Sequence, residues 1–410
     1  MAAKIEDSVD EASKKKNPRP ILKNKLEGCS GVVNQARSIP HEDAVITVSD
    51  DRSVRVWIKR ESGQYWPSIC HMMSEPCSSL DYHGESRRVF VGLDNGTISE
   101  FTLSKDMNRL NHSRNYLAHM GRVTRICFSL EDEWVLSVGR DKYFQWHETK
   151  KGKRVGGYQT QAWCTSVQFD AQTKHVFVGD YSGLISVLRL ENNLVSLKTT
   201  LKGHSGSIGS LEWDPDKQQL FSGSFDNSVI VWDIGGGKGT ALELQGHHSK
   251  VVGLGCVSHS KRLFSISSDG ILGIWDMTAK RTETPEWKES DMCQFCNSPF
   301  FWAFKQMWDQ KQLGLRQHHC RKCGKAACDK CSQKRSTLPK LGYEYDVRVC
   351  LTCFETITNE DRRPMALFHN TKHPVLDVSI DITKGKLLTC GSDRIVKIWD
   401  VSTLINPSQK

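Results

Sequence analysis

One short segment recurs along the 410 residues of this chain, and little else constrains the fold as tightly. It is an aspartate, five intervening residues and a tryptophan: Asp51–Trp57, Asp226–Trp232, Asp269–Trp275 and Asp393–Trp399, with Asp141–Trp146 one residue shorter. A second mark sits 22 residues upstream of the aspartate: His119, His204 and His247, with Cys29 in the same place in the first unit. Four residues after each comes a branched apolar residue, Val33, Val123, Ile208 or Val251. In the last unit the spacing from Asp393 points to Thr371 for the histidine position and Val375 for the apolar anchor. Two weaker copies, Pro76–Leu103 and Gln159–Leu190, lack the tryptophan, with Asn95 and Ser182 at the aspartate position. Inside each unit apolar residues alternate over short runs and Gly, Asp, Asn and Ser punctuate them. That pattern predicts several short strands per unit.

A period in the forties with a Gly-His mark and a terminal tryptophan resembles the WD40 repeat, one blade of a β-propeller. In that resemblance the histidine, aspartate, tryptophan and a hydroxyl form a structural hydrogen-bond network, so these histidines are read neither as catalytic nor as metal-binding. The spacing gives six units from Val33 to Val251 and a seventh near Val375, with about 81 residues more than the period needs between them. A loop of that length with no structure of its own would be out of place in a compact domain, so a separate domain is expected there. Repeat units of this kind run out of phase with blades. The strand Pro20–Leu26 should therefore complete the last blade and remove its open edge.

Cysteine placement identifies the inserted domain. Of 15 cysteines, eight fall between Cys293 and Cys353, in four Cys-x2-Cys pairs separated by 23, 4 and 18 residues. Four such pairs match two tetrahedral zinc sites with four thiolates each. The short middle gap favours a cross-braced pairing: Cys293, Cys296, Cys328 and Cys331 for one zinc ion, and Cys320, Cys323, Cys350 and Cys353 for the other. Neither site leaves a position for water, so both are read as structural, supplying folding energy to a domain too small for a core of its own.

Around the second pair the chain reads Arg316-Gln317-His318-His319-Cys320-Arg321-Lys322-Cys323-Gly324, with Trp287-Lys288-Glu289-Ser290-Asp291 upstream and Arg348-Val349-Cys350 downstream. These resemble the three signatures of the FYVE zinc-finger family, WxxD, R(R/K)HHCRxCG and RVC. Three departures stand out: Gln317 replaces a basic residue, Asp291 comes one residue late, and the first gap is long. The resemblance implies binding of phosphatidylinositol 3-phosphate on endosomal membranes. It assigns Asp291, Arg316, His318, His319, Arg321 and Arg348 to the lipid headgroup and Leu313 and Leu315 to membrane insertion. The charge agrees: eight Lys or Arg and one Asp lie between Lys311 and Arg335, and arginine forks suit phosphate oxygens. Protonation of His318 and His319 would tighten binding between pH 8 and pH 6. The aromatic stretch Phe301–Trp308 in the long gap reads as a short helix packed on the neighbouring blade, with membrane contact as the alternative.

The whole chain therefore resembles the family of WD-repeat and FYVE-domain-containing proteins: an all-β seven-bladed WD40 propeller with a small two-zinc finger inserted between blades six and seven. The expected organisation is a tail over 1–18 and propeller blades one to six plus the closing strand over 19–284. The zinc finger follows over 285–362, blade seven over 363–404 and a tail over 405–410. The resemblance implies a non-enzymatic scaffold on early endosomes and in the cytosol, with two zinc ions, phosphatidylinositol 3-phosphate and protein partners of the propeller; homodimerisation is open. The alternative is a zinc-finger ubiquitin ligase or its substrate adaptor. A net charge of +9 permits nucleic acid in principle, but the dense charge lies in the zinc finger, so no nucleic-acid partner is expected. No phosphate-binding glycine loop, nucleophile elbow or open metal site appears. The charged segment Met1–Lys16 has no apolar core of a secretory signal, and no stretch approaches membrane-span length.

Overall fold

The computed structural model describes residues 19–191, 193–236 and 241–406; the expected tail over 1–18 and the last four residues lie outside them. Seven antiparallel sheets carry the repeats. Blades one to five take four consecutive strands each, from Val33–Ile39 in blade one to Ala241–Gln245 in blade five. Both weak copies form blades like the others. The five apolar anchors Val33, Val123, Ile208, Val251 and Val375 are all buried, which explains their fixed place in each unit.

The network behind the repeat mark is present. His204 Nδ1 lies 3.0 Å from the Asp226 carboxylate and its Nε2 lies 2.7 Å from Ser222 Oγ, which also accepts from Trp232 Nε1 at 2.8 Å. In blade six Trp275 Nε1 donates to Ser265 Oγ at 2.7 Å, and His247 Nε2 meets that same oxygen at 2.6 Å. Blade seven corrects the sequence reading. His373, not Thr371, fills the histidine position, 3.2 Å from Asp393 and 2.8 Å from Thr389 Oγ1. Thr371 instead donates to the Gly270 carbonyl at 2.7 Å. The turn before Val375 is two residues tighter than in the other units, so a fixed offset of 22 misses it.

Ile21–Leu26 closes the ring by pairing with Val396–Asp400, from Ile21 opposite Asp400 to Leu26 opposite Val396. At the axis Asp377 of blade seven accepts from Arg37 of blade one at 2.6 Å and from Arg125 of blade three at 2.7 Å. One buried carboxylate thus ties three blades together. The C-terminal helix Ser402–Ile405 buries Leu404 and Ile405, so ordered packing reaches past residue 404, where the expected tail begins.

The zinc domain leaves the propeller after Ile271–Asp276, the third strand of blade six. The fourth strand, Ala366–Asn370, lies on the far side of the insertion and pairs back from Trp275 opposite Ala366 to Ile271 opposite Asn370. Between repeat units this is the junction of six and seven; counted by blades, it lies inside blade six. The insertion does not hang free. Its hairpin Lys334–Leu338 and Tyr343–Val349 extends the sheet of blade five to six strands, through a parallel bridge of Gln245 to Tyr343.

Candidate metal centres and an adjoining cationic cleft

The eight clustered cysteines form two tetrads: Cys293, Cys296, Cys328 and Cys331, and Cys320, Cys323, Cys350 and Cys353. Within each, all four sulfurs lie within 4.8 Å of one another. A tetrahedral zinc–thiolate site has bonds of about 2.3 Å, which separates its sulfurs by roughly 3.7–3.8 Å. Cys296 Sγ and Cys328 Sγ lie 3.7 Å apart. Backbone N–H groups already point at the sulfurs: Cys328 N–H donates to Cys293 Sγ at 3.3 Å and Cys350 N–H to Cys320 Sγ at 3.3 Å. Such donors favour the thiolate over the thiol. The tetrads fit two Zn2+, paired first with third and second with fourth as the spacing predicts. Bound zinc would fix the two knuckles.

Each metal site carries its own small core. Phe300, Ala326 and Ala327 pack around the first, and Leu338, Tyr343, Val347, Val349 and Ile357 around the second. Gly324 turns at φ +72°, and a Cβ there would stand 2.2 Å from the Glu286 carbonyl. Only glycine lets the knuckle close against the incoming chain.

Beside the second site lies a cleft of about 850 Å³. Its zinc-domain wall includes His318, His319, Arg321, Arg335 and Arg348 together with Trp287. Arg335 and Arg348 stand directly opposite each other across the hairpin. Like charges in that position repel by some tenths of a kcal/mol, which an anion between them would reverse. Arg348 is held by Asp329 at 2.7 Å and by the Ser332 carbonyl at 2.9 Å, both through one nitrogen, so its other nitrogens are left for a ligand. Arg321 lies over the Trp287 ring at 4.5 Å, and Trp287 stacks on His319 at 4.9 Å with 11° between planes. These contacts preset the guanidinium and imidazole at the mouth of the cleft.

Burial, followed by the charge of Arg348, holds His318 below the ordinary histidine range.

Two expected headgroup residues do not line the cleft. Asp291 is exposed, and its carbonyl accepts from Phe300 N–H at 2.9 Å. The extra residue before it moves its side chain off the motif position, which Ser290 occupies. Arg316 is exposed beyond the cleft. The carboxylates that do face the cleft are Glu243, Glu286 and Asp346. Arg335 and Glu243 were missed. Recognising Arg335 needs the hairpin register, and Glu243 sits on a propeller strand with no local signal of a site.

The stretch Phe301–Trp308 also departs from expectation. The helix Phe304–Gln310 forms, but it does not pack on a blade: Phe304 is 73% and Trp308 85% exposed, beside exposed Phe301 and Trp302. Leu313 is likewise exposed, while Leu315 packs inward toward Phe300. Helix and loop are one body, since Phe301 N–H donates to the Leu315 carbonyl at 3.2 Å and Leu315 N–H to the Pro299 carbonyl at 2.8 Å. A cluster of aromatics this exposed marks an interaction surface.

A second cavity, of about 280 Å³, lies on the propeller axis. Its two arginines are bound to Asp377, and burial holds the Asp81 and Glu212 carboxyls that also line it above their ordinary range. Among the described residues no helix is long and apolar enough to cross a membrane.

Comparison with known proteins gives the same two parts. The family model for the FYVE zinc finger matches residues 285–359, and that for the WD domain, G-beta repeat, matches 21–57, 195–233 and 363–400. WD repeat and FYVE domain-containing protein 1 of Mus musculus is 52% identical over 408 residues, covering 100% of this chain and 98% of that protein. WD repeat and FYVE domain-containing protein 2 of Homo sapiens is 53% identical over 388 residues, covering 95% and 97%. The protein of that second name in Caenorhabditis briggsae is 42% identical over 98% of both chains. Among solved structures, the WD40 beta propeller domain of Doa1 aligns with a TM-score of 0.61 at 16% identity, covering 93% of this chain and 96% of that one, a likeness of fold alone.

Proposed function

Since this chain belongs to the family of WD repeat and FYVE domain-containing proteins 1 and 2, we propose that it is a non-enzymatic adaptor on the early endosome membrane. In this reading the zinc domain binds phosphatidylinositol 3-phosphate, and the propeller presents a rigid surface to proteins of endosomal signalling or trafficking. The observation that carries it is the arginine pair Arg335 and Arg348, set opposite each other on the wall of an open cleft. Guanidinium forks so placed suit the oxygens of a phosphate dianion.

The headgroup phosphate takes the free nitrogens of Arg348, with Arg335, Arg321 and His318 around it. His319, fixed by its stack on Trp287, donates at the mouth. Arg316, outside the cleft, meets the anionic lipid surface rather than the bound headgroup. Leu313 enters the bilayer. The exposed helix beside it adds Phe304 and Trp308, whose rings favour the interface between headgroups and acyl chains. Lys305 and Lys311 on the same segment favour an anionic membrane. Leu315 serves mainly to hold the loop to the domain. A ubiquitin-ligase finger is not favoured by the family to which the chain belongs.

The reading is tested in cells with the fluorescently tagged full chain. It should mark early endosomes, disperse when phosphatidylinositol 3-kinase is inhibited, and fail to concentrate there as Arg348→Gln. Endosomal puncta that survive loss of the lipid would refute it.

A further inference from the structure

The cleft is not made by the zinc domain alone. Its opposite wall is the outer strand of blade five, Ala241–Gln245, through Glu243 and Gln245. These two residues are two apart on a strand and so share a face, while Leu244 between them is buried in the blade. Gln245 links the domains. It accepts from Tyr345 Oη at 2.5 Å and donates through Nε2 to Glu243 Oε1 at 2.5 Å. Glu243 is thereby positioned by a chain of hydrogen bonds that begins in the zinc domain.

The wall is fixed. Gln245 N–H donates to the Gly342 carbonyl at 2.8 Å and Thr282 N–H to the Lys340 carbonyl at 2.9 Å. Glu344 accepts from Met365 N–H at 3.1 Å. Arg281 spans the Asp276 and Met365 carbonyls at 2.7 and 3.1 Å. Gly342 turns at φ +86°, and a Cβ there would fall 1.9 Å from the Glu243 carbonyl, so the two chains touch with no side chain between them. The propeller cannot swing away without breaking this seam.

The cleft therefore has two unlike sides. The zinc domain contributes Arg321, Arg335 and Arg348 together with the carboxylates Glu286 and Asp346, and the propeller contributes Glu243 and Gln245, the latter bound by the Tyr345 phenol of the zinc domain. A cyclic polyol bearing one phosphate fits both at once, its phosphate on the arginines and its hydroxyls on Glu243, Gln245 and Tyr345. A second phosphate on the ring edge facing the propeller would meet Glu243 as a like charge. We propose that Glu243 of the propeller is a specificity-determining residue of the headgroup site, rejecting inositol lipids that carry a further ring phosphate. This rests on the reading of the cleft as a phosphoinositide site.

The test uses the full-length protein and vesicles containing phosphatidylinositol 3-phosphate, the 3,4-bisphosphate or the 3,5-bisphosphate. Wild type is compared with Glu243→Gln, which keeps an oxygen to accept from Gln245. Removing one unit charge several ångström from a phosphate in a half-wet cleft changes affinity by about tenfold. Glu243→Gln should raise the affinity for at least one bisphosphate, relative to that for the monophosphate, by about that factor. Glu243→Arg should gain more. Zinc content near two per chain confirms that each variant is folded. Unchanged ratios among the three lipids in both variants would overturn the inference and leave the phosphoinositide reading standing. Absence of wild-type binding to the monophosphate would remove the reading itself, and this inference with it.

Discussion

Replacing Phe304 and Trp308 together by alanine separates membrane contact from folding. Both side chains are mostly exposed, at 73% and 85%, so their loss should leave stability within about 0.5 kcal/mol of wild type. On a membrane the balance differs. A fully covered aromatic side chain buries roughly 150–250 Å², worth about 4–6 kcal/mol at about 25 cal/mol per Å². Interfacial seating covers only part of each ring. With about one third of that value for each, the pair contributes about 3 kcal/mol, or roughly 100-fold in affinity. The assay is sedimentation with vesicles containing phosphatidylinositol 3-phosphate, beside titration with the water-soluble headgroup inositol 1,3-bisphosphate. The double variant should lose about two orders of magnitude on vesicles and keep its headgroup affinity. Vesicle affinity within threefold of wild type would refute the assignment of this helix to the membrane.

Four further outcomes are expected. Arg335→Ala should weaken vesicle binding by at least tenfold yet slightly raise the melting temperature, because it removes the repulsion with Arg348; loss of both binding and stability would contradict the anion-site reading. Cys320→Ser should lower bound zinc, measured by mass spectrometry of metals, from two per chain to one or fewer, and unfold the zinc domain; two zinc ions retained would count against the tetrads. Asp377→Ala should cost about 3–5 kcal/mol in urea unfolding, since it strands Arg37 and Arg125 in the axis; a change under 1 kcal/mol would show that water replaces the carboxylate. Burial pushes the Glu344 carboxyl up to about 7, above its ordinary 4.5. The folded state then holds a proton the unfolded state has lost, so this group's contribution falls as pH rises from about 4.5 to 7. Glu344→Gln should flatten that part of the stability profile, and an unchanged slope would contradict it.

The parts of this molecule that were legible in its sequence are those where chemistry fixes spacing. In five of the seven units an aspartate, a tryptophan and an apolar anchor fall at set positions, and zinc demands paired cysteines, so propeller and tetrads could be read directly. Ile21–Leu26 followed from the phase between repeat and blade. What could not be read depends on register or on contacts distant in sequence. His373 lies two residues from the expected slot because one turn is shorter. Asp291 carries the residue type of the motif but not its position. Arg335 becomes a cleft residue only when the hairpin sets it opposite Arg348, and Glu243 only because the insertion folds back onto blade five. For Phe301–Trp308 the helical spacing was visible, but apolar spacing alone does not say whether a face is covered by protein or left open.

The central claim is that the cationic cleft reads a single phosphate on an inositol ring. Co-sedimentation of the full-length protein with vesicles carrying the 3-, 4- or 5-phosphate isomer, wild type beside Arg321→Ala with zinc content verified, tests it most directly. The account predicts binding to the 3-phosphate at least tenfold tighter than to either isomer, and its loss in the variant. Equal binding to all three isomers, or a variant that binds as well as wild type, would contradict it.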